Sequence, residues 1–348
     1  MTKLDFDVII TGAGPSGCAT AIMLADSGLK VALIDKAVFP RDKICGDGLT
    51  IDVLNQLKLI SPTLSRNIEN FKEKTEAEGC YVTSTKGHSS FFKITNPNKL
   101  YVIERALFDN ELLKECKRYN NIHVFENTRV NKCTVSNHQV SVETSSGIFS
   151  GKIVVGADGV NSKIAKTVNP NRGKESLYGV SVRAYFSNVV DSENTNVIEI
   201  HYLKELVPGY LWIFHMPNNK RNVGIGIDEK TVKKNGIKLG EVFHQIIKNN
   251  PKFKDRFANA KMEGDLKAYR LPVFNNYKKI YSDRVLLVGD AANVVNPLSG
   301  EGVGNALRTG RFAAEHIQKC FTANDFSKKF NKAYYKKVKK KMFPELYR

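Results

Sequence analysis

Three groups of residues in the 348-residue chain have the types and spacing to do chemistry. Gly12-Ala13-Gly14-Pro15-Ser16-Gly17 is a Gly-x-Gly-x-x-Gly turn, able to bring backbone N–H groups against a pyrophosphate, and Asp35 further on is an acid able to hold ribose hydroxyls. Cys45, in the run Cys45-Gly46-Asp47-Gly48, offers a thiol on a tight turn that could donate a proton or gate a site. Tyr210, Trp212 and Phe214 alternate with other residues, so on a strand their rings share one face. Such a face can wall an apolar tunnel, and each ring can stabilise a positive charge developing on carbon by about 0.5–2 kcal/mol. The glycine motif alone leaves NAD, NADP and FAD open as the dinucleotide.

The elements that must position these groups follow from the pattern. Phe6 to Thr11 reads as a strand, an Ala-rich helix leaves the glycine turn, and Val31 to Ile34 is the next strand, closed by Asp35. That is a βαβ unit: Gly12 allows the turn, Gly14 a close backbone approach, and Gly17 tight packing of helix on strand. The helix N-terminus adds unpaired N–H groups and a positive dipole end. A helix is expected from Ile51 to Leu57, a hairpin over Cys80 to Ile94 turning at Lys86-Gly87, and a helix opening at Arg105. Short strands fill 122 to 155 and end in Gly156-Ala157-Asp158-Gly159. Residues 177 to 229 have period two and four candidate strands (178–186, 197–203, 210–216 and 222–228), an antiparallel sheet unlike the opening unit. After a helix over 239–248, the nucleotide-type pattern returns with Arg284 to Ala292, the loop Asn296 to Gly304, and a long helix to about Cys320.

The expected architecture is therefore α/β: a Rossmann-like nucleotide-binding domain with an inserted antiparallel-sheet (α+β) substrate domain. Residues 1–79, 98–172 and 276–325 form the discontinuous nucleotide unit, 80–97 and 173–275 the substrate unit, and 326–348 a basic C-terminal helix or tail. No apolar run is long enough for a transmembrane helix, and the sequence enters its first strand at once, without a secretory leader. Six scattered cysteines without Cys-x-x-Cys spacing point to a reducing cytoplasm and to no structural metal. The net charge of +18 is concentrated at the end: residues 327–348 hold nine Lys/Arg and one Glu, with aromatic residues between the lysines. That composition suits a basic amphipathic helix on the inner, anionic face of a membrane, a peripheral location. No nucleic-acid module accompanies it.

The strand ending in Gly289-Asp290, with the loop Pro297-Leu298-Ser299-Gly300-Glu301-Gly302-Val303-Gly304 and its helix, resembles the closing motif of FAD-binding flavoproteins, the superfamily of aromatic hydroxylases and prenyl reductases. Asp158-Gly159 resembles its middle fingerprint, although Ala165 stands where many members carry Arg. Pro40-Arg41-x-Lys43-x-Cys45-Gly46-x-Gly48 and the Tyr210-x-Trp212-x-Phe214 strand are similar to motifs of the geranylgeranyl reductases. The resemblance implies FAD as cofactor. Its contacts would be Gly12, Gly14, Pro15, Ser16, Gly17, Asp35, Lys36, Cys45, Gly46, Arg105, Val130, Asp158, Gly159, Gly289, Asp290, Pro297, Gly300, Gly302, Val303 and Gly304.

Cys45, Tyr210 and Trp212 would then be catalytic, and Tyr210, Trp212 and Phe214 would line the substrate. His215, on the opposite face of that strand, ranks below Cys45. The implied activity is reduction of C=C bonds in a hydrophobic isoprenoid lipid or quinone side chain. No second nucleotide-binding unit is present, so electrons would come from transiently bound NADPH or a reduced, acidic protein carrier, either of which the basic surface would attract. A flavin monooxygenase or halogenase is the alternative, and an electron-transfer flavoprotein feeding a quinone the second.

Overall fold

The computed structural model describes residues 3–347 apart from 96, 192–195 and 276–278, so the boundary expected at 276 lies outside the described residues. At its centre is a six-stranded sheet in the order Tyr281–Ser282, Val285–Leu287, Ile153–Gly156, Val8–Thr11, Val31–Ile34, Ile122–Phe125. All neighbours pair in parallel except Tyr281–Ser282 with Val285–Leu287. Every residue of Val8–Thr11, Val31–Ile34 and Ile153–Gly156 is buried. Strands covered on both faces need unbroken apolar runs, as Val31-Ala32-Leu33-Ile34 is. Helices Pro15–Ile22 and Val303–Ala323 pack on each other through small residues; a Cβ on Gly310 would run into the backbone of Ser16. A four-stranded sheet (Lys3–Asp5, Gly147–Gly151, Val140–Thr144, Val130–Val135) takes the remaining short strands expected before 155.

The second large layer is a seven-stranded sheet in the order Lys261–Val273, Leu177–Ser187, Lys220–Asp228, Tyr210–Met216, Val197–His201, Gly79–Thr83, Ser89–Lys93. It corrects the sequence reading twice. Val197–His201 pairs in parallel with Gly79–Thr83, so the sheet is mixed. It also gains Lys261–Val273, whose charged, mostly exposed residues carry no apolar alternation because the strand is an edge. One face of this sheet packs on helix Leu239–Asn249 through Leu211, Ile213, Ile225, Phe243 and Ile246. The other face turns toward the nucleotide-binding layer.

Helix Lys328–Leu346 is the basic C-terminal segment. Its apolar side does not face outward: Tyr334, Val338, Met342, Phe343 and Leu346 are buried in the core of the six-stranded sheet, and Tyr334 Oη donates to Leu287 O at 2.7 Å. Of the interleaved aromatics, Tyr334 and Phe343 are core residues and Phe330 and Tyr335 pack partly buried against that core, which corrects the expectation of a helix laying them on a membrane; Tyr347, just past the helix, is exposed. Its exposed face is lysine. No helix among the described residues is long and apolar enough to cross a membrane, and the six cysteines are free.

Candidate functional site

Three segments remote in sequence meet at the C-terminal ends of the parallel strands. Gly12 has φ +104°, and a Cβ there would run into Ala157 O; one on Gly17 would run into Gly12 O. Gly289 has φ +56° and leaves room for Ser16, whose Oγ would lie 2.7 Å from an added Cβ. The three motifs therefore close on one another with only small side chains, Ser16 and Ala157, at their contacts. Arg172 fastens the closure, donating to Val160 O at 2.7 Å, Asp290 O at 2.7 Å and Asn293 Oδ1 at 2.6 Å.

This cradle fits a dinucleotide. Helix Pro15–Ile22 starts at Gly14 with no side-chain hydrogen bond to its first turn and no acid there, so its leading amides are left for an anion. A Cβ on Gly14 would meet only Arg41 Nη2, 3.7 Å away. Arg41 and Arg105 both donate to buried Asp109: Arg41 Nη1 to Oδ2 at 2.7 Å, Arg105 Nε to Oδ1 at 2.7 Å and Nη2 to Oδ2 at 2.8 Å. Burial alone would raise the Asp109 pKa, but Arg105 first and then Arg41 hold it below the usual aspartate range. Two guanidiniums on one carboxylate leave positive charge facing the amides, a receptor for a pyrophosphate. Asp35 accepts from Ala13 N and Ala37 N, both at 2.8 Å, which aims its carboxylate while each oxygen keeps acceptor capacity for a ribose hydroxyl.

At the other end, the seven-stranded sheet presents three cross-strand rows: Ser181–Gly226–Tyr210, Arg183–Gly224–Trp212 and Tyr185–Asn222–Phe214. The glycines make space for rings; a Cβ on Gly224 would run into the Trp212 indole. The rings reach across to both nucleotide-side loops. Phe214 and Trp212 lie over Gly46, at 3.0 and 3.4 Å from where its Cβ would be, and Tyr210 Oη donates to Ser299 O at 2.6 Å. Tyr210 and Trp212 meet edge to face with centroids 6.2 Å apart. His215 is on the far face, hydrogen-bonded to Glu199 at 3.3 Å, as its strand parity requires.

Cys45 is half-buried, next to the Arg105 side chain, and its carbonyl accepts from Asn222 Nδ2 at 2.8 Å. Asp290 Oδ2 accepts from Tyr269 Oη at 2.9 Å, and the Lys43 ammonium sits 3.5 Å over the Tyr269 ring. Burial lowers the Lys43 pKa, against the pull of Asp290.

The sequence-derived residues thus divide. Gly12, Gly14, Pro15, Ser16, Gly17, Asp35, Gly289 and Asp290 cluster at the cradle, with Arg105 beside it. Cys45, Gly46, Tyr210, Trp212, Phe214 and Gly300 cluster at the wall, and a Cβ on Gly300 would lie 3.1 Å from Tyr210 Oη. Gly302 approaches Asp290, with Val303 and Gly304 opening the long helix behind it. Asp158 brings backbone to the cradle through its neighbour Ala157, but its carboxylate holds the start of helix Lys163–Val168, accepting from Ser162 Oγ at 2.5 Å and Lys163 N at 2.7 Å. Gly159 takes the φ of +78° that this turn needs. Lys36 and Pro297 are exposed, and Val130 lies in the four-stranded sheet.

Sequence reasoning missed Arg41, Lys43, Asp47, Asp109, Arg172, Tyr185, Asn222 and Tyr269. Arg41, Lys43 and Asp47 stood inside the cysteine motif already singled out. Asn222 and Tyr185 had a weaker signal, polar groups at inward positions of otherwise apolar strands. Asp109, Arg172 and Tyr269 had none.

A profile described as FAD binding domain matches residues 5–314. A menaquinone reductase of Mycobacterium tuberculosis is 30% identical over 326 residues, covering 89% of this chain and 76% of that protein. A digeranylgeranylglycerophospholipid reductase of Methanocaldococcus jannaschii is 29% identical over 346 residues, covering 98% and 84%. Among solved structures, a geranylgeranyl bacteriochlorophyll reductase-like protein of Thermoplasma acidophilum superposes with a TM-score of 0.83 at 21% identity, covering 98% of this chain and 85% of that one. A triple mutant of a flavin-dependent brominase gives 0.79 at 20% identity, covering 96% and 85%. At these identities the two structures speak to fold alone.

Proposed function

The chain belongs to the FAD-binding flavoprotein oxidoreductase family, in which the two relatives described above are named reductases, and from that premise we propose that it saturates C=C bonds of an isoprenoid lipid or of a quinone's isoprenoid tail. The observation that carries this reading is the aromatic wall: Tyr210, Trp212 and Phe214 stand between the Cys45–Gly48 turn and the 297–304 loop, on the sheet face turned toward the nucleotide-binding layer. When bound, reduced flavin supplies a hydride equivalent. Addition to a C=C bond then needs one proton at the second carbon, so that two electrons and two hydrogens are gained. The wall excludes water from the reacting carbons, and the ring faces stabilise the cationic character that protonation creates. Cys45 Sγ, on the turn that the wall covers, is the candidate holder of that proton. The 297–304 loop and the N-terminus of helix Val303–Ala323 offer backbone N–H groups to negative charge on the reduced ring.

NADPH or a reduced acidic protein supplies the electrons in this reading. The exposed lysine face of helix Lys328–Leu346 supports a peripheral place on an anionic membrane, where such substrates reside. The test is anaerobic: reduce the FAD-loaded protein, add a polyprenyl lipid or menaquinone, and follow flavin absorbance and product mass. Flavin reoxidation with a product heavier by H2 per saturated bond is expected. No reoxidation by any isoprenoid, together with oxygen-dependent hydroxylation or halogenation of an aromatic compound, overturns the proposal. Turnover with a quinone whose isoprenoid tail keeps all its double bonds assigns electron transfer instead.

A further inference from the structure

Asp47 joins the cysteine turn and the start of helix Arg105–Cys116 to the substrate sheet, and neither the motif nor the reaction above gives it work. It is fully buried, and it takes φ 65°, a left-handed conformation that glycine adopts at least cost. Its Oδ2 accepts from Tyr185 Oη at 2.8 Å and from Asn222 Nδ2 at 2.7 Å, and its Oδ1 from Arg105 N at 3.2 Å. Asn222 is completely used: its amide also donates to Cys45 O at 2.8 Å, and its Oδ1 accepts from Trp212 Nε1 at 2.9 Å. This set of partners admits one orientation of the Asn222 amide.

We propose that Asp47 is a positioning residue whose protonation state sets the orientation of Asn222, and through it the places of the Trp212 indole and the Cys45 carbonyl. All three partners of the carboxylate are donors, so the ionised form suits them. A proton on Oδ2 would meet the two donors there. Tyr185 Oη can turn to accept it, but the Asn222 NH2 cannot, so the tie to Asn222 is the one that loosens. The charges that bear on the switch come from every packed element. Arg183, paired with Asp42 at 3.0 Å, lies over the Tyr185 ring at 4.1 Å from the same strand. Lys267 from the edge strand holds the other Asp42 oxygen at 2.7 Å. Lys220, 4.0 Å over the same ring, is paired with Glu104 at 2.7 Å, and Arg105 adds its backbone amide and nearby guanidinium. Burial nevertheless outweighs Arg183, Tyr185 and Asn222 and raises the Asp47 pKa to about 6, within a range a protein can be titrated through.

The inference rests on the wall being where substrate lies, but its test needs no substrate, so the two can fail separately. Trp212 is the sole tryptophan, and its indole N–H gives a single resonance in the FAD-loaded protein labelled at tryptophan. That resonance is expected to move with pH along a one-proton curve with its midpoint near 6. In Asp47→Asn the transition is expected to vanish, with circular dichroism and FAD content as controls for folding. In Tyr185→Phe, which removes one donor to the carboxylate, the midpoint is expected to rise. A flat indole signal between pH 5 and 8 in the unmodified protein overturns the proposal. So does a transition that survives Asp47→Asn, or a midpoint that Tyr185→Phe leaves in place.

Discussion

At the Gly12 end of the site, the contacts that set its shape are backbone against backbone: Gly17 on Gly12, Gly12 on Ala157, Gly310 on Ser16. At the Trp212 end they are between side chains, a series of hydrogen bonds from Trp212 through Asn222 to Asp47 and Tyr185. The first kind is all or none, because a methyl group there has no rotamer by which to withdraw. The second is graded and can respond to a proton. One end of the site is shaped by contacts that cannot adjust, the other by contacts that can.

The sharpest way to break the cradle is therefore steric. Gly12→Val places a β-branched side chain at φ +104° against Ala157, where the left-handed backbone alone costs about 1–3 kcal/mol and overpacking adds about 1–3 more. Loss of FAD from the purified protein, with a large fall in melting temperature, is the expected result. A variant that kept its flavin would show that the three motifs do not close as described.

Next in size is the charge that serves the cradle. Asp109→Asn leaves Arg105 and Arg41 without their buried partner, at a cost of about 3–5 kcal/mol. The folded pKa of Asp109 is depressed, so its stabilisation is complete above the ordinary aspartate value of about 3.9 and is lost as pH falls through the folded one. Asp47 has the opposite sign. Its folded pKa is raised, so the folded protein binds that proton more readily than the unfolded one, and stability falls as pH rises from about 4 to about 6. Denaturant melts across this range should show that Asp47→Asn takes a downward contribution out of the slope of the unmodified protein, and that Asp109→Asn leaves that contribution in place. The same slope in both variants would erase the distinction between the two ends.

This contrast also explains what was legible in the sequence. The cradle is made by residue types whose backbone behaviour is fixed locally: glycine at a turn, an apolar run for a buried parallel strand, an acid at a strand end. Gly12, Asp35 and Gly289 could be read in place for that reason. The wall was half legible, since strand parity put Tyr210, Trp212 and Phe214 on one face and His215 on the other. What lies opposite that face depends on register between strands distant in the sequence, so Asn222 beside Phe214 and Tyr185 beside Asn222 could not be read. Edge strand Lys261–Val273 escaped because a solvent-facing strand needs no apolar alternation, and the burial of Tyr334 and Phe343 at the basic end could not be read because an amphipathic pattern does not say what its apolar side covers.

Within the wall, Tyr210→Phe isolates a single bond. Losing the donation to Ser299 O at 2.6 Å is worth about 0.5–1.5 kcal/mol and frees the 297–304 loop from the sheet. A rise of a few-fold in KM for the proposed isoprenoid substrate, with FAD content unchanged, is expected. Unchanged KM would mean that the loop is held from the nucleotide side alone.

The smallest effect on the fold is expected outside both ends, on the lysine face. Lys332, Lys336 and Lys340 are four residues apart, hence on one side of helix Lys328–Leu346, and all three are exposed, whereas Lys337 is turned to Glu315. Lys336→Gln removes no ion pair found among the described residues, so stability should move by no more than about 0.5 kcal/mol. Binding to vesicles containing anionic lipid should weaken by about 1 kcal/mol, roughly fivefold, and the difference should shrink as salt shortens the screening length. Neutral vesicles serve as the control, because this helix has its apolar side in the core and can offer a membrane only charge. Equal binding to neutral and anionic vesicles would mean that apolar surface elsewhere does the docking, and vesicle affinity untouched by Lys336→Gln would remove the helix from the interface.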